Sequence, residues 1–260
     1  MPLTVTFDTN TLESVVSPDA AQSRAGHDTG PSGAAVRAAI QAGRLQGFFS
    51  ETHITTEGIN SDDRKDILYQ TRIASSADGD TLTVGVHHIR KPPGSRFHGR
   101  VQRASALGMC ALMAPARIAG IHVKNDICPL FEPKGGQPEL WRCMEKVNDM
   151  ATKIACRGVG IAIAIELGKQ SSKEAGILEP ELWLTGLGRA QSKKKLSKAI
   201  REWADGDVVA AHYGFGIDLL CSEDCGKKSV FETSNREWLS KDFGIRFVTL
   251  AELAEIVASL

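Results

Sequence analysis

Leu3-Thr4-Val5-Thr6-Phe7-Asp8-Thr9-Asn10 alternates apolar and polar side chains at period two, carries β-branched residues and ends in three polar ones. That pattern predicts a strand running into a loop. Working outward, Pro31-Ser32 opens a helical segment over 33–42, closed by Gly43 where a helix C-terminus favours glycine. A second strand follows at 45–49 and a helix at 50–59, with Ile54 and Glu57 one turn apart. Strand, helix, strand, helix is the rhythm of a parallel sheet covered by helices.

The last seventy or so residues return to that rhythm. A basic helix is predicted over 192–203, a break at Asp205-Gly206-Asp207, and an apolar helix over 208–213. A short apolar strand at 217–221 leads into Ser222-Glu223-Asp224. A helix at 235–241, a strand at 246–249 and a closing helix at 251–259 complete the reading. Between Asp62 and Leu187 the periodicity is mixed: 81–89 and 159–165 are β-like, 102–113 and 139–156 helix-like, with Pro92-Pro93-Gly94 and Lys134-Gly135-Gly136 as punctuation. The expected architecture is a single α/β domain, a three-layer α/β/α sandwich with a mainly parallel central sheet. Its core spans 1–61 and 188–260, and a mixed α/β insertion spans 62–187.

A chain of 260 residues with 42% hydrophobic content can bury a core of its own. Lys plus Arg and Asp plus Glu both number 31, so no overall field draws the protein to a polyanion, and any such binding must be local. No apolar leader or membrane-length stretch is visible, which predicts a cytoplasmic protein without membrane contact. The six cysteines then read as reduced thiols, and no CxxC pattern prepares a zinc site. A metal, if held, is held by oxygen.

Two predicted strands end in carboxylates, one in Asp8 and one in Glu223/Asp224. In open α/β sheets ligands bind at the carboxyl ends of the strands. Asp207 abuts an apolar helix and Glu57 lies within one, so both can project toward that edge. Carboxylates gathered there would repel one another unless hard divalent cations, Mg²⁺ or Mn²⁺, neutralise them. Alternatives stay open at three positions: Asp205 for Asp207, Glu51 for Glu57, and Glu223 or Asp218 for Asp224.

FDTNTL after the first strand, SETHITTEGI after the second, DGDVVAAHYGFGIDLLCSEDCG and the closing FVTLAELAEIV together resemble the PIN-domain family of metal-dependent nucleases, over roughly 1–60 and 186–260. The resemblance implies a metal site of Asp8, Glu57, Asp207 and Asp224, with Asn10 and Ser222 in support. It also implies cation-assisted hydrolysis of a phosphodiester, usually in RNA, leaving a 5′-phosphate and a 3′-hydroxyl. The 62–187 insertion exceeds what compact toxin-type members carry, and is a candidate for substrate choice or for docking a protein partner. A homo-oligomer is compatible with the reading.

Rival signatures are weaker. Asp28-Thr29-Gly30 matches the aspartic-protease tripeptide but follows a polar stretch. Asp8-Thr9-Asn10 resembles an aspartyl-nucleophile phosphatase motif, yet Asn10 stands where an acid must donate a proton. Gly226-Lys227-Lys228-Ser229 resembles part of a phosphate loop, with Cys221 at the place of its first glycine. His212 reads as a packing histidine. Arg90, Lys91, Arg96, Arg100 and Arg103 form a basic segment suited to phosphates, and Lys193, Lys194, Lys195 and Lys198 crowd one helix. A PIN-like RNA-binding or scaffold module that no longer cuts is the non-enzymatic alternative.

Overall fold

A computed structural model describes residues 2–17, 30–52, 58, 68, 72–78, 81–87, 95–115, 128–176 and 183–260. Five parallel strands form the central sheet: β1 (Leu3–Phe7), β2 (Leu45–Ser50), β5 (Cys110–Leu112), β6 (Leu219–Cys221) and β7 (Phe247–Val248), in the order β5-β2-β1-β6-β7. Phe7 stands beside Phe49 on one side and Cys221 on the other. From β1 the sheet grows outward through β2 to β5, and later through β6 to β7 on the opposite side. The direction of winding therefore reverses between β1 and β6. A separate antiparallel pair, β3 (Arg72–Asp78) and β4 (Thr81–His87), lies within the predicted insertion.

Helices cover both faces, as the α/β/α reading requires. Val5, Phe7, Phe49 and Cys221 pack under α1 (Thr9–Val16), α2 (Gly30–Gln41), α3 (Ser95–Ala106) and α9 (Leu250–Ala258). Phe48, Leu112 and Leu220 face α7 (Lys193–Gly214), with α4 (Gly136–Cys156) and α8 (Thr233–Phe243) beyond. A satellite cluster joins α5 (Ile161–Glu174) and α6 (Trp183–Gly188) to the first half of α7 around the buried Trp203. Among the described residues no helix is long and apolar enough to cross a membrane. All six cysteines are free thiols.

Several local expectations are corrected. Asp8 opens α1 rather than a loop, because its carboxylate caps the helix. No break occurs at 205–207: α7 runs unbroken for 22 residues. Gly206 serves close approach, since a Cβ there would stand 2.9 Å from the Cα of Gly160. The 159–165 stretch enters α5 at Ile161 rather than forming a strand, because Ala164, Gly168, Ser171 and Ser172 form a small-residue face buried against α6. A Cβ on Gly168 would collide with the Trp183 carbonyl at 2.2 Å. The 102–113 stretch is the end of α3, a turn at Gly108 (φ 78°), and β5. The boundary at 62–187 is corrected too, because β5 lies inside it and completes the core sheet.

The basic segment also divides. Arg90 and Lys91 lie outside the described residues, as does the side chain of Arg96, while Arg103 is exposed on α3. Arg100 is not a surface phosphate ligand: it is 2% exposed, and its Nη2 donates to Glu13 Oε2 at 2.7 Å, fastening α3 to α1. Arg100→Ala should therefore destabilise the fold by roughly 3 kcal/mol, the low end for breaking a buried pair because Glu13 is partly solvated. Urea unfolding should show a lower midpoint with an unchanged slope. A midpoint equal to the parent's would contradict the clamp.

Candidate functional site

The reversal between β1 and β6 opens a crevice at the carboxyl edge of the sheet, where the chain leaves the two strands in opposite directions. Asp8 sits at its floor, 4% exposed. Its Oδ1 accepts from the backbone N–H groups of Asn10 (2.7 Å) and Thr11 (3.2 Å), and its Oδ2 accepts from Ser222 Oγ at 2.5 Å. Its own N–H donates to the Cys221 carbonyl, to which Thr11 Oγ1 also donates. The start of α1 favours a negative charge here.

Ser222 links the two strand ends, since its hydroxyl oxygen also accepts from the Asp224 N–H at 3.1 Å. Asp224 Oδ1 in turn accepts from the Gly226 N–H at 2.9 Å. Arg236 stacks near Phe231 and Phe247 and donates to the carbonyls of Ser222 and Asp224, holding the turn from behind. The two open alternatives at this strand end are engaged elsewhere. Glu223 Oε1 accepts from the Leu250 N–H at the start of α9, and Asp218 Oδ2 accepts from Thr4 at the far end of the sheet.

The third wall is α7. Glu202 and Asp205, three apart and so on one helical face, join Asp8 and Asp224 around a cavity of about 390 Å³, with Lys198, Arg201 and Lys227 at its rim. Asp207 is not there. It is 2% exposed and its Oδ2 accepts from Trp203 Nε1 at 3.1 Å, so of Asp205 and Asp207 it is Asp205 that faces the cavity. Two residues along an α-helix turn a side chain to the opposite face, and only a break could have brought Asp207 round. Glu57 lies outside the described residues. Glu51 is buried, with its Oε1 accepting from the Ala114 N–H at 2.6 Å between the ends of β2 and β5. Asn10 is exposed on the cavity rim.

Glu202 was not singled out from the sequence. It is 8% exposed, and its Oε2 is buried with no hydrogen-bond partner among the described residues. Burial raises its pKa and the charge of Asp224 adds to the rise, opposed by the nearby Ser229 hydroxyl and by Lys198 and Arg201. An orphaned carboxylate oxygen of this kind costs free energy until something cationic or protic meets it. No three of the described His, Cys, Asp and Glu side chains stand close enough to form a closed metal cage. The carboxylates surround an open space instead. That suits a hard cation such as Mg²⁺, which keeps several waters and takes only one or two protein carboxylates.

His212 has no part in the cavity. Its Nδ1 lies 3.1 Å from Thr6 Oγ1 under the sheet, and complete burial pushes its pKa down to about 3, so it packs as a neutral ring. Asp28 and Thr29 lie outside the described residues. The Gly226-Lys227-Lys228-Ser229 run lies in a turn region that continues to α8 at Thr233, so no helix starts at its lysines as a phosphate loop requires. Comparisons with protein-family models, with curated proteins and with solved structures return no match.

Proposed function

We propose that the protein is a metal-dependent endonuclease of the PIN type, cutting RNA in the cytoplasm with Asp8, Asp224, Glu202 and Asp205 as its working acids. One observation carries the reading: these four carboxylates line one cavity at the strand-order reversal, rimmed by Lys198, Arg201 and Lys227, and one of them holds a buried oxygen without a partner among the described residues. Acids at the centre with cations at the edge suit a phosphodiester approaching a cation-dependent site.

A bound Mg²⁺ or Mn²⁺ would supply an activated water and charge stabilisation at the leaving oxygen. The residues do the rest. Asp8 is held rigid by donors from Asn10, Thr11 and Ser222, so its geometry is set before substrate arrives. Asp224 and Asp205 present oxygens from opposite walls, and Glu202 Oε2 adds a desolvated one. Lys198, Arg201 and Lys227 neutralise flanking phosphates and orient the strand. An aspartyl-nucleophile phosphatase is disfavoured, because Asn10 rather than an acid follows Asp8 two residues later.

The test is cleavage of a labelled single-stranded RNA panel with Mg²⁺, Mn²⁺ or EDTA, run on the parent, Asp205→Asn and Asp207→Asn. The expected result is cation-dependent cleavage to 5′-phosphate and 3′-hydroxyl ends, lost in Asp205→Asn and retained in Asp207→Asn. Cleavage in EDTA, or an active Asp205→Asn beside a dead but folded Asp207→Asn, would overturn the assignment. Absence of cleavage on every RNA, with RNA binding intact, would favour the non-catalytic module.

A further inference from the structure

A second depression of about 930 Å³ begins where the acidic cavity ends. Lys198 lines both, and Lys227 at the cavity rim is followed directly by Lys228 in the groove. Its cations come from three separate parts of the chain: Arg157 from the end of α4, Lys195 and Lys198 from α7, and Lys228 from the turn after β6. Convergence of that kind is a product of the tertiary fold. A solvated helical face would display its lysines along one element and on a convex surface.

Arg157 is also held in place. Its guanidinium stacks 4.5 Å from the Trp238 ring and its Nε donates to Asn235 Oδ1 at 3.1 Å. The groove's four cations outnumber its two acids, Glu166 and Glu232, the second of which accepts from the Lys228 N–H at 2.8 Å. The floor is apolar, built from Val159, Ala162, Ile163, Leu167 and Ala199. Ala162, Ile163 and Leu167 are half-buried there, and cations around such an apolar strip suit a strand whose phosphates and bases are both accessible.

We propose that this groove binds the single-stranded part of the polynucleotide leading away from the acidic cavity, with its phosphates against Arg157, Lys195, Lys198 and Lys228. It rests on the nuclease reading of that cavity and adds the form of the substrate: a single strand, several nucleotides long. A duplex buries its bases and could not use the apolar floor.

The test is fluorescence anisotropy of labelled oligouridylates of 4, 8 and 12 nucleotides, on the Asp8→Asn protein in EDTA so that cleavage is suppressed. Affinity should rise from 4 to 8 nucleotides. In Lys195→Ala combined with Lys228→Asn the rise should disappear. Asparagine is chosen because it tolerates the positive φ of 58° at position 228. The slope of log affinity against log salt should flatten by about 1.4, from about 0.7 per single-strand phosphate contact. Parental affinity and slope in this variant would overturn the proposal. So would tighter binding of a hairpin duplex, or displacement of the oligonucleotide by polyglutamate at equal charge, which would mark a site for an acidic polypeptide. Length-dependent binding by a parent that cuts no RNA in Mn²⁺ would sink the nuclease reading and leave the groove standing.

Discussion

Asp8→Asn should lower cation-dependent RNA cleavage by at least about 100-fold while leaving the fold intact. The first half follows from charge: loss of a ligand that holds the cation forfeits several kcal/mol of transition-state stabilisation, and each 1.36 kcal/mol is tenfold in rate. The second half follows from the local geometry. Asn caps a helix about as well as Asp, so the acceptor for the Asn10 and Thr11 N–H groups survives. The new amide can donate to Ser222 Oγ, where the carboxylate had accepted. Circular dichroism and the unfolding midpoint should therefore match the parent within about 1 kcal/mol. Undiminished cleavage by a purified, folded variant would remove Asp8 from the site.

Glu202→Gln should have opposite effects on the empty and the loaded protein. Glu202 has a folded-state pKa raised above 4.5, first by burial and then by Asp224. An acid shifted upward contributes stability below its unfolded pKa, and that contribution is lost as pH rises through the folded value. In EDTA at neutral pH the charged parent is thus the less stable of the two, and Gln should raise its melting temperature by about 3 °C. Below pH 4.5 the difference should vanish. In Mn²⁺ the order should reverse, because a ligand at about 100 times its dissociation constant stabilises by about 2.7 kcal/mol, and Gln offers only a neutral oxygen. A variant that gains nothing in EDTA, or that responds to Mn²⁺ as the parent does, would show that Glu202 is a buried structural acid.

The parts of this site that can be read from sequence are those with local signatures. Leu3–Phe7 and the apolar run before Ser222 announce strands by alternation and composition, and their polar ends mark the functional edge. Asp205 was visible only as one of two acids around a glycine. Asp-Gly-Asp is ordinarily a turn, and here it is helix because buried residues on both sides, Trp203 and Val208 among them, hold α7 together. Tertiary packing outweighs the roughly 1 kcal/mol that glycine costs a helix.

Glu202 was hidden for a related reason. It lies in a helix whose lysines suggest a solvated face, and burial of one acid among them depends on which face meets the sheet. The spacing of three to Asp205 was the available signal. Arg100 shows the same gap from the other side, since a cluster of arginines in sequence says nothing of which one is buried. β5 is illegible in the sequence because three residues carry no period and the helix-like pattern of 102–113 runs through them.

The cation is the centre of the account, and calorimetric titration of Mn²⁺ into the apo protein measures it without reference to turnover. Parent protein should bind Mn²⁺ with an affinity that strengthens as pH rises and the carboxylates ionise. Asp8→Asn and Glu202→Gln should each weaken that binding at least tenfold, as loss of one ligand charge requires, while Asp207→Asn should leave it at the parental value. Identical isotherms for the parent and for the Asp8→Asn, Glu202→Gln double variant would contradict the account.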